Sequence, residues 1–254
     1  MVKARRTCYC PTEIGKSIHL THSGTTPRNP PKSREFDDLY FSADDGLAES
    51  EFVFLQGNNL PQNWQDTDRF VIGELGFGTG LNFLAAWKVF EETTTPSQTL
   101  DFVSFEKFPL TPGKIADYLQ PWQEILGGRL QKLLAQYPPS IPGFHRLLLT
   151  DRVTLTLIFD DVKMAIPKLQ ADVDAWFLDG FKPATNPDMW SPNVFEHMAR
   201  LSRDGTRLAT YTAAGQVRRD LTAAGFNLEK VTGFGHKRHM TIGQYSEDNL
   251  GDNR

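Results

Sequence analysis

The chain has 254 residues, 39% hydrophobic and 23% charged, the proportions of a globular domain with a substantial core. No run of 18 apolar residues is present to cross a membrane as a helix, and no apolar stretch follows the basic start as a secretory leader requires. Two cysteines, Cys8 and Cys10, make no disulfide framework and suit a reducing cytoplasm. The net charge of −4 is unevenly spread: residues 1–34 carry +6 and residues 200–240 carry +5, which leaves −15 on the rest. Two basic segments on an acidic body can form a local phosphate-binding surface, although ordinary surface scatter gives the same counts.

Residues 1–34 hold Gly15, Gly24, Pro27, Pro30 and Pro31 without a clear period and read as a loose leader. Short apolar runs at 39–42 and 51–56 flank Asp44-Asp45-Gly46, a turn signal, so 35–69 is expected to form a hairpin or lid. The main domain is expected over 70–245, with a tail at 246–254. Strands are predicted at 70–75, 100–106, 153–159, 175–179 and 206–212. Helices are predicted at 80–90, within 112–137, and at 192–202 and 214–224. Two terminal strands follow near 227–233 and 239–243. This alternation implies an α/β fold with a doubly wound, mostly parallel sheet, and the close final pair implies an antiparallel hairpin at one edge.

The sharpest local signal is Glu74-Leu75-Gly76-Phe77-Gly78-Thr79-Gly80, between a strand and a helix. Glycines let the turn close and let a ligand approach the backbone, and the helix start adds N–H donors. The spacing is Gly-x-Gly-x-Gly, with an acid two residues before Gly76. It departs from the Gly-x-Gly-x-x-Gly of dinucleotide enzymes and is common in S-adenosylmethionine enzymes. Glu106 ends the second strand, where an acid can accept both ribose hydroxyls of an adenosine. Asp160 or Asp161, after the next strand, can accept from an adenine amino group, although a helix N-cap accounts for either one taken alone. Ligands of open α/β sheets bind at these carboxyl ends. The loop from Asp179 to Trp190 is stiffened by Pro183 and Pro187, and Phe181 and Trp190 offer flat faces for stacking a base.

Several stretches together resemble a known family. They are Phe36-Asp37-Asp38-Leu39-Tyr40-Phe41-Ser42, Phe54-Leu55-Gln56-Gly57-Asn58, Gly76 through Leu84, and Ser104-Phe105-Glu106-Lys107-Phe108-Pro109-Leu110. Asp174 through Phe181, Asn186-Pro187-Asp188-Met189-Trp190 and Gly233-Phe234-Gly235 continue the match. The sequence is similar over about 35–243 to the methyltransferase part of the bifunctional tRNA 5-methylaminomethyl-2-thiouridine biosynthesis proteins, the MnmC family.

The resemblance implies methylation of the primary amine of 5-aminomethyl-2-thiouridine at the tRNA wobble position, with S-adenosyl-L-methionine as donor. It implies that Asn82 and Lys107 join Glu74, the glycines, Glu106, Asp160 and Asp161 in the cofactor pocket. Asp179, Phe181 and Lys182 are the candidate catalytic set, and Tyr40 and Trp190 the candidate substrate contacts. Arg218, Arg219, Lys237 and Arg238 are the candidate tRNA contacts. Full-length family members carry a flavin (FAD) oxidase domain that prepares the amine. A chain ending at Arg254 has no room for it, so a free-standing enzyme or an excised piece is expected. Lys182 stands where alanine is expected, and Asp160 where glycine is expected.

The acceptor amine must be neutral to attack. Asp179 is the candidate to aim it and receive its proton, and an ordinary carboxylate near pKa 4 is a weak base for that task. A nearby Lys182 would disfavour the ammonium form. No metal is expected: Cys8, Cys10, His19 and His22 fit zinc spacings poorly. His145, His197 and His239 read as structural or exposed. A nicotinamide oxidoreductase and a non-catalytic tRNA-binding module remain open alternatives.

Overall fold

The computed structural model describes residues 31–33, 35–41 and 45–250. In chain order it contains α1 (Gly46–Ser50), β1 (Arg69–Leu75), α2 (Leu81–Thr93), β2 (Thr99–Glu106), α3 (Pro112–Leu119), α4 (Gln123–Leu126), α5 (Gly128–Gln136), β3 (Gly143–Leu148), β4 (Val153–Phe159), α6 (Val162–Ala165), β5 (Val173–Leu178), α7 (Pro192–Arg200), β6 (Ser202–Thr210), α8 (Gly215–Ala223), β7 (Phe226–Thr232) and β8 (His239–Tyr245). The strands form one sheet of eight, ordered β3-β4-β2-β1-β5-β6-β8-β7. The inner strands β4, β2, β1, β5 and β6 run parallel. β3 is antiparallel on one edge, and β8 and β7 form the expected antiparallel pair on the other.

Strands covered on both faces are apolar on both sides, and successive side chains feed opposite cores. Along β5, Ala175 and Phe177 enter the core that contains Phe83, Trp87 and Phe102. Trp176 and Leu178 enter the second core, with Val194, Phe195 and Met198 of α7. β1 divides in the same way, Phe70 and Ile72 to the first core and Val71 and Leu75 to the second. The sheet is thus fixed on both sides close to the ends of β1 and β5, where the site lies.

Three expectations need correction. Residues 46–58 are not a hairpin: α1 runs into a π-helical turn, Glu51–Leu55, and a short 3-10 turn, Gln56–Asn58. The Asp45-Gly46 pair starts a helix instead of closing a turn, because the Asp45 side chain accepts from Ala48 N at 3.1 Å. The helical spacing then buries Leu47, Val53, Phe54 and Leu55 in the first core. β3 is a strand the pattern did not announce, because Phe144 and Leu148 are exposed on this edge. β6 begins at Ser202, earlier than predicted, with a polar start. Residues 1–30 of the leader, with Cys8, Cys10, His19 and His22, and the tail from residue 251 lie outside the described residues. Among the described residues no helix is long and apolar enough to cross a membrane.

Candidate active site

At the carboxyl ends of β1, β2, β4 and β5 lies a cavity of about 460 Å³. Its floor is the turn after β1. Phe105 O accepts from both Gly76 N and Phe77 N, at 3.0 and 3.1 Å, which ties this turn to the end of β2. Gly76 has φ +92°, and a Cβ there would lie 2.5 Å from Asp179 O, so only glycine lets β1 and the β5 loop approach this closely. Gly78, at φ +53°, turns its N–H toward Glu106 and donates to Oε2 at 2.8 Å. Phe108 N donates to Glu106 Oε1 at 2.7 Å. Burial raises the Glu106 pKa while these backbone donors oppose the rise. The two acceptor oxygens, held by backbone N–H groups, keep lone-pair capacity to offer a ligand.

Asp161 caps α6, its Oδ1 accepting from Lys163 N at 2.9 Å, and its Oδ2 pairs with Lys107 Nζ at 2.9 Å. Burial alone would raise its pKa, but the lysine contacts outweigh that and hold it low. Asp160 is freer: its Oδ1 accepts from Asp161 N, and its Oδ2 is 4.0 Å from Lys168. Asp160, Asp161 and Lys107 all line the cavity.

Glu74 does not. It is fully buried beneath the site, where Ser104 Oγ donates to Oε2 at 2.6 Å and Asn82 Nδ2 donates to Oε1 at 3.0 Å. Desolvation holds its pKa well above the usual carboxylate range. The structure therefore makes Glu74 a support for Asn82 rather than a wall of the pocket. The same Asn82 amide donates to Asp179 Oδ2 at 2.6 Å, and its Oδ1 accepts from Ser50 Oγ at 2.6 Å. Both amide hydrogens and the carbonyl are engaged, so the orientation of Asn82, and with it that of Asp179, is fixed.

Asp179 follows β5 and is anchored by its own N–H to Leu75 O at 3.1 Å. Burial pushes its carboxyl up to about 7; the Asn82 bond opposes the rise, Glu49 adds to it, Lys237 lowers it and Asp38 raises it. The ordinary pKa near 4 expected from sequence is thus corrected upward, with desolvation as the main cause. Lys182 does not stand free beside the amine position either. Its Nζ pairs with Asp38 Oδ1 at 2.9 Å, and its backbone N donates to Asp38 Oδ2 at 3.1 Å.

Phe181 stacks on Phe36 at 4.7 Å and meets Tyr40 edge-on at 5.5 Å, and all three line the cavity. Trp190 is 5% exposed, packs in the second core and donates from Nε1 to Phe181 O at 2.8 Å. It braces the loop and presents no face for stacking a base. Lys237 lines the cavity, whereas Arg218, Arg219 and Arg238 do not. Arg219 and Arg238 are exposed, and Arg219 Nη2 donates to Gln216 Oε1 at 2.6 Å.

Residues 125–246 match a family described as S-adenosyl-L-methionine-dependent methyltransferase. A protein of Aliivibrio fischeri named tRNA 5-methylaminomethyl-2-thiouridine biosynthesis bifunctional protein MnmC is 51% identical over 242 residues, 91% of this chain. One of the same name from Ectopseudomonas mendocina is 50% identical over 222 residues, 86% of this chain. The chain is thus about half identical to proteins named MnmC over most of its own length, and its family match is to a methyltransferase. It spans 35% and 34% of the length of these two relatives, about a third. The crystal structure of MNMC2 from Aquifex aeolicus has the same fold, with a TM-score of 0.68 over 84% of this chain and 65% of that one, at 23% identity.

Within this site the structure brings together Asp179, Phe181, Asn82, Gly76, Gly78, Glu106, Lys107, Asp160, Asp161, Tyr40, Lys182 and Lys237. It adds polar residues that sequence reasoning passed over: Asp38, Glu49, Ser50 and Tyr211 also line the cavity. Asp38 lay inside a family-like stretch. Glu49 and Ser50 fell in a segment read as a hairpin, where their helical placement was not visible. Among the described residues no cluster of three or more His, Cys, Asp or Glu is placed to hold a metal.

Proposed function

We propose that this chain transfers a methyl group from S-adenosyl-L-methionine to the primary amine of 5-aminomethyl-2-thiouridine at the wobble position of a tRNA. The observation that carries the proposal is the half-buried Asp179, held by Asn82 and facing the same cavity as the glycine turn and Glu106. The residues fit the donor: Glu106 has acceptor capacity for two ribose hydroxyls, the turn at Gly76 and Gly78 has no side chain to block a ligand, and Asp160 is free to accept from an adenine amine. S-adenosyl-L-methionine supplies a methyl group already activated by its sulfonium charge, so no acid is needed for the leaving group.

The protein's task is then to align the acceptor and remove its proton. An alkyl ammonium near 10.4 lies about 9 kcal/mol uphill of a carboxylate near 4 in proton transfer. With Asp179 at about 7 the gap falls to about 5 kcal/mol. Asn82 aims the carboxylate, and Phe36, Tyr40 and Phe181 offer aromatic surface for the base. Arg218, Arg219 and Arg238 lie outside the cavity, and we assign them to contacts with tRNA phosphates. The greater length of the relatives accommodates the FAD-dependent oxidase part that the resemblance implies as the source of the amine.

Calorimetric titration tests the donor half of this reading. Wild-type protein is expected to bind S-adenosyl-L-methionine, and Glu106→Ala to bind it at least tenfold more weakly, since two charge-assisted hydrogen bonds are lost, roughly 1.5–3 kcal/mol each. Equal affinity in the two proteins would contradict the assignment of Glu106.

A further inference from the structure

Lys237 carries a primary alkyl ammonium into the cavity that holds Asp179. It comes from the loop between β7 and β8, and its Nζ lies 2.6 Å from Glu49 Oε1 and 4.4 Å from the centre of the Tyr211 ring. The two partners differ in character. The Glu49 side chain is 12% exposed and belongs to the wall, while the Lys237 side chain is 47% exposed and reaches in from outside. Tyr211 is fixed by its hydroxyl, which donates to Gly180 O at 2.6 Å, one residue from Asp179. A carboxylate and an aromatic face on one small volume are the chemistry that selects an alkyl ammonium. Of the two other lysines that line the cavity, Lys182 lacks this setting, being tied to Asp38 by both Nζ and backbone N, and Lys107 pairs with Asp161 at the start of α6 instead of with a residue of the Glu49 and Tyr211 wall.

We propose that Glu49 and Tyr211 form the subsite that receives the acceptor's ammonium, and that Lys237 occupies this subsite until the acceptor displaces it. The proposal rests on the amine acceptor argued above and adds where that amine docks. An ion pair with one half-exposed partner is weak, so exchanging one ammonium for another costs little. Once docked, the acceptor nitrogen gives one proton to the Asp179 carboxylate and keeps the lone pair with which it attacks the methyl carbon. The C–S pair stays on sulfur, and the proton later leaves Asp179 for water.

Saturation-transfer NMR with n-butylammonium on the full chain tests the subsite without donor or tRNA. Lys237→Ala is expected to bind this probe at least tenfold more tightly than wild type, and adding Glu49→Gln to that variant is expected to abolish the gain. Lys237→Met, which keeps the apolar stem, serves the same test if the alanine variant unfolds at a lower temperature than wild type. Absence of binding in both Lys237 variants, or equal binding with Glu49→Gln added, overturns the subsite. Binding as expected in a protein that transfers no methyl group to tRNA leaves the ammonium subsite standing and removes the proposed reaction instead.

Discussion

Asp179→Asn is expected to slow methyl transfer roughly 10²- to 10⁴-fold, the range set by loss of a positioned general base, with donor affinity changed by no more than a few-fold. The replacement keeps an oxygen where Asn82 Nδ2 donates, so the local frame survives and only the proton acceptor is lost. The same residue sets the pH dependence. The Asp179 carboxyl sits at about 7, so kcat/KM should rise with pH through that value and level off above it, while the residual rate of the variant should not follow that curve. Stability moves the other way. The folded value lies above the roughly 3.9 of an unfolded aspartate, so the group's contribution is full below that lower value and is lost as pH rises through about 7. The asparagine variant should therefore exceed wild type in Tm at pH 8, with the difference narrowing toward pH 4. Single-turnover rates and thermal melts across this range check both parts; a variant as fast as wild type would remove Asp179 from the mechanism.

Gly76→Ala is expected to damage both fold and site. A Cβ at Gly76 would stand 2.5 Å from Asp179 O, and φ +92° is a conformation that L side chains rarely adopt. Neither backbone can yield freely, because Leu75 pairs with Leu178 in the sheet and Asp179 N bonds Leu75 O at 3.1 Å. Backbone strain and overpacking cost about 1–3 kcal/mol each. At 2–4 °C per kcal/mol for a domain of this size, Tm should fall by roughly 5–20 °C. Donor affinity should fall with it, since the turn and Asp179 shift together. Gly78→Ala is the internal comparison: its Cβ would meet Tyr40 Cδ1 at 3.5 Å, an ordinary contact, and φ +53° is within reach of other residues. A melt in which Gly78→Ala loses more stability than Gly76→Ala would contradict this account of the turn.

These comparisons also show which parts of the site are legible in a sequence. The strand–turn–helix around Gly76, Gly78 and Gly80 is readable because all three have positive φ, so their spacing records backbone geometry. Glu106 and Asp179 are readable because ligands of such sheets gather at the strand ends. Glu74 misled for a physical reason. In a strand covered on both faces an acid can lie deep in the wall, and its partners Ser104 and Asn82 come from other elements. Trp190 misled similarly: an aromatic in a loop is a stacking surface or a brace according to where its N–H finds an acceptor, here Phe181 O. Asp45-Gly46 carries the same residues whether it closes a hairpin or caps a helix, and only the bond to Ala48 N separates the two. The raised carboxyl of Asp179 depends on burial, which no local pattern encodes.

The central claim is the identity of donor, acceptor and bond formed. The most direct measurement mixes the protein with methyl-labelled S-adenosyl-L-methionine and tRNA bearing 5-aminomethyl-2-thiouridine, then digests the tRNA and locates the label by mass spectrometry. Label on the exocyclic amine of the wobble uridine, absent with Asp179→Asn, is the predicted result. Label on any other nucleoside, or none on tRNA while the donor remains bound, would contradict the proposed acceptor.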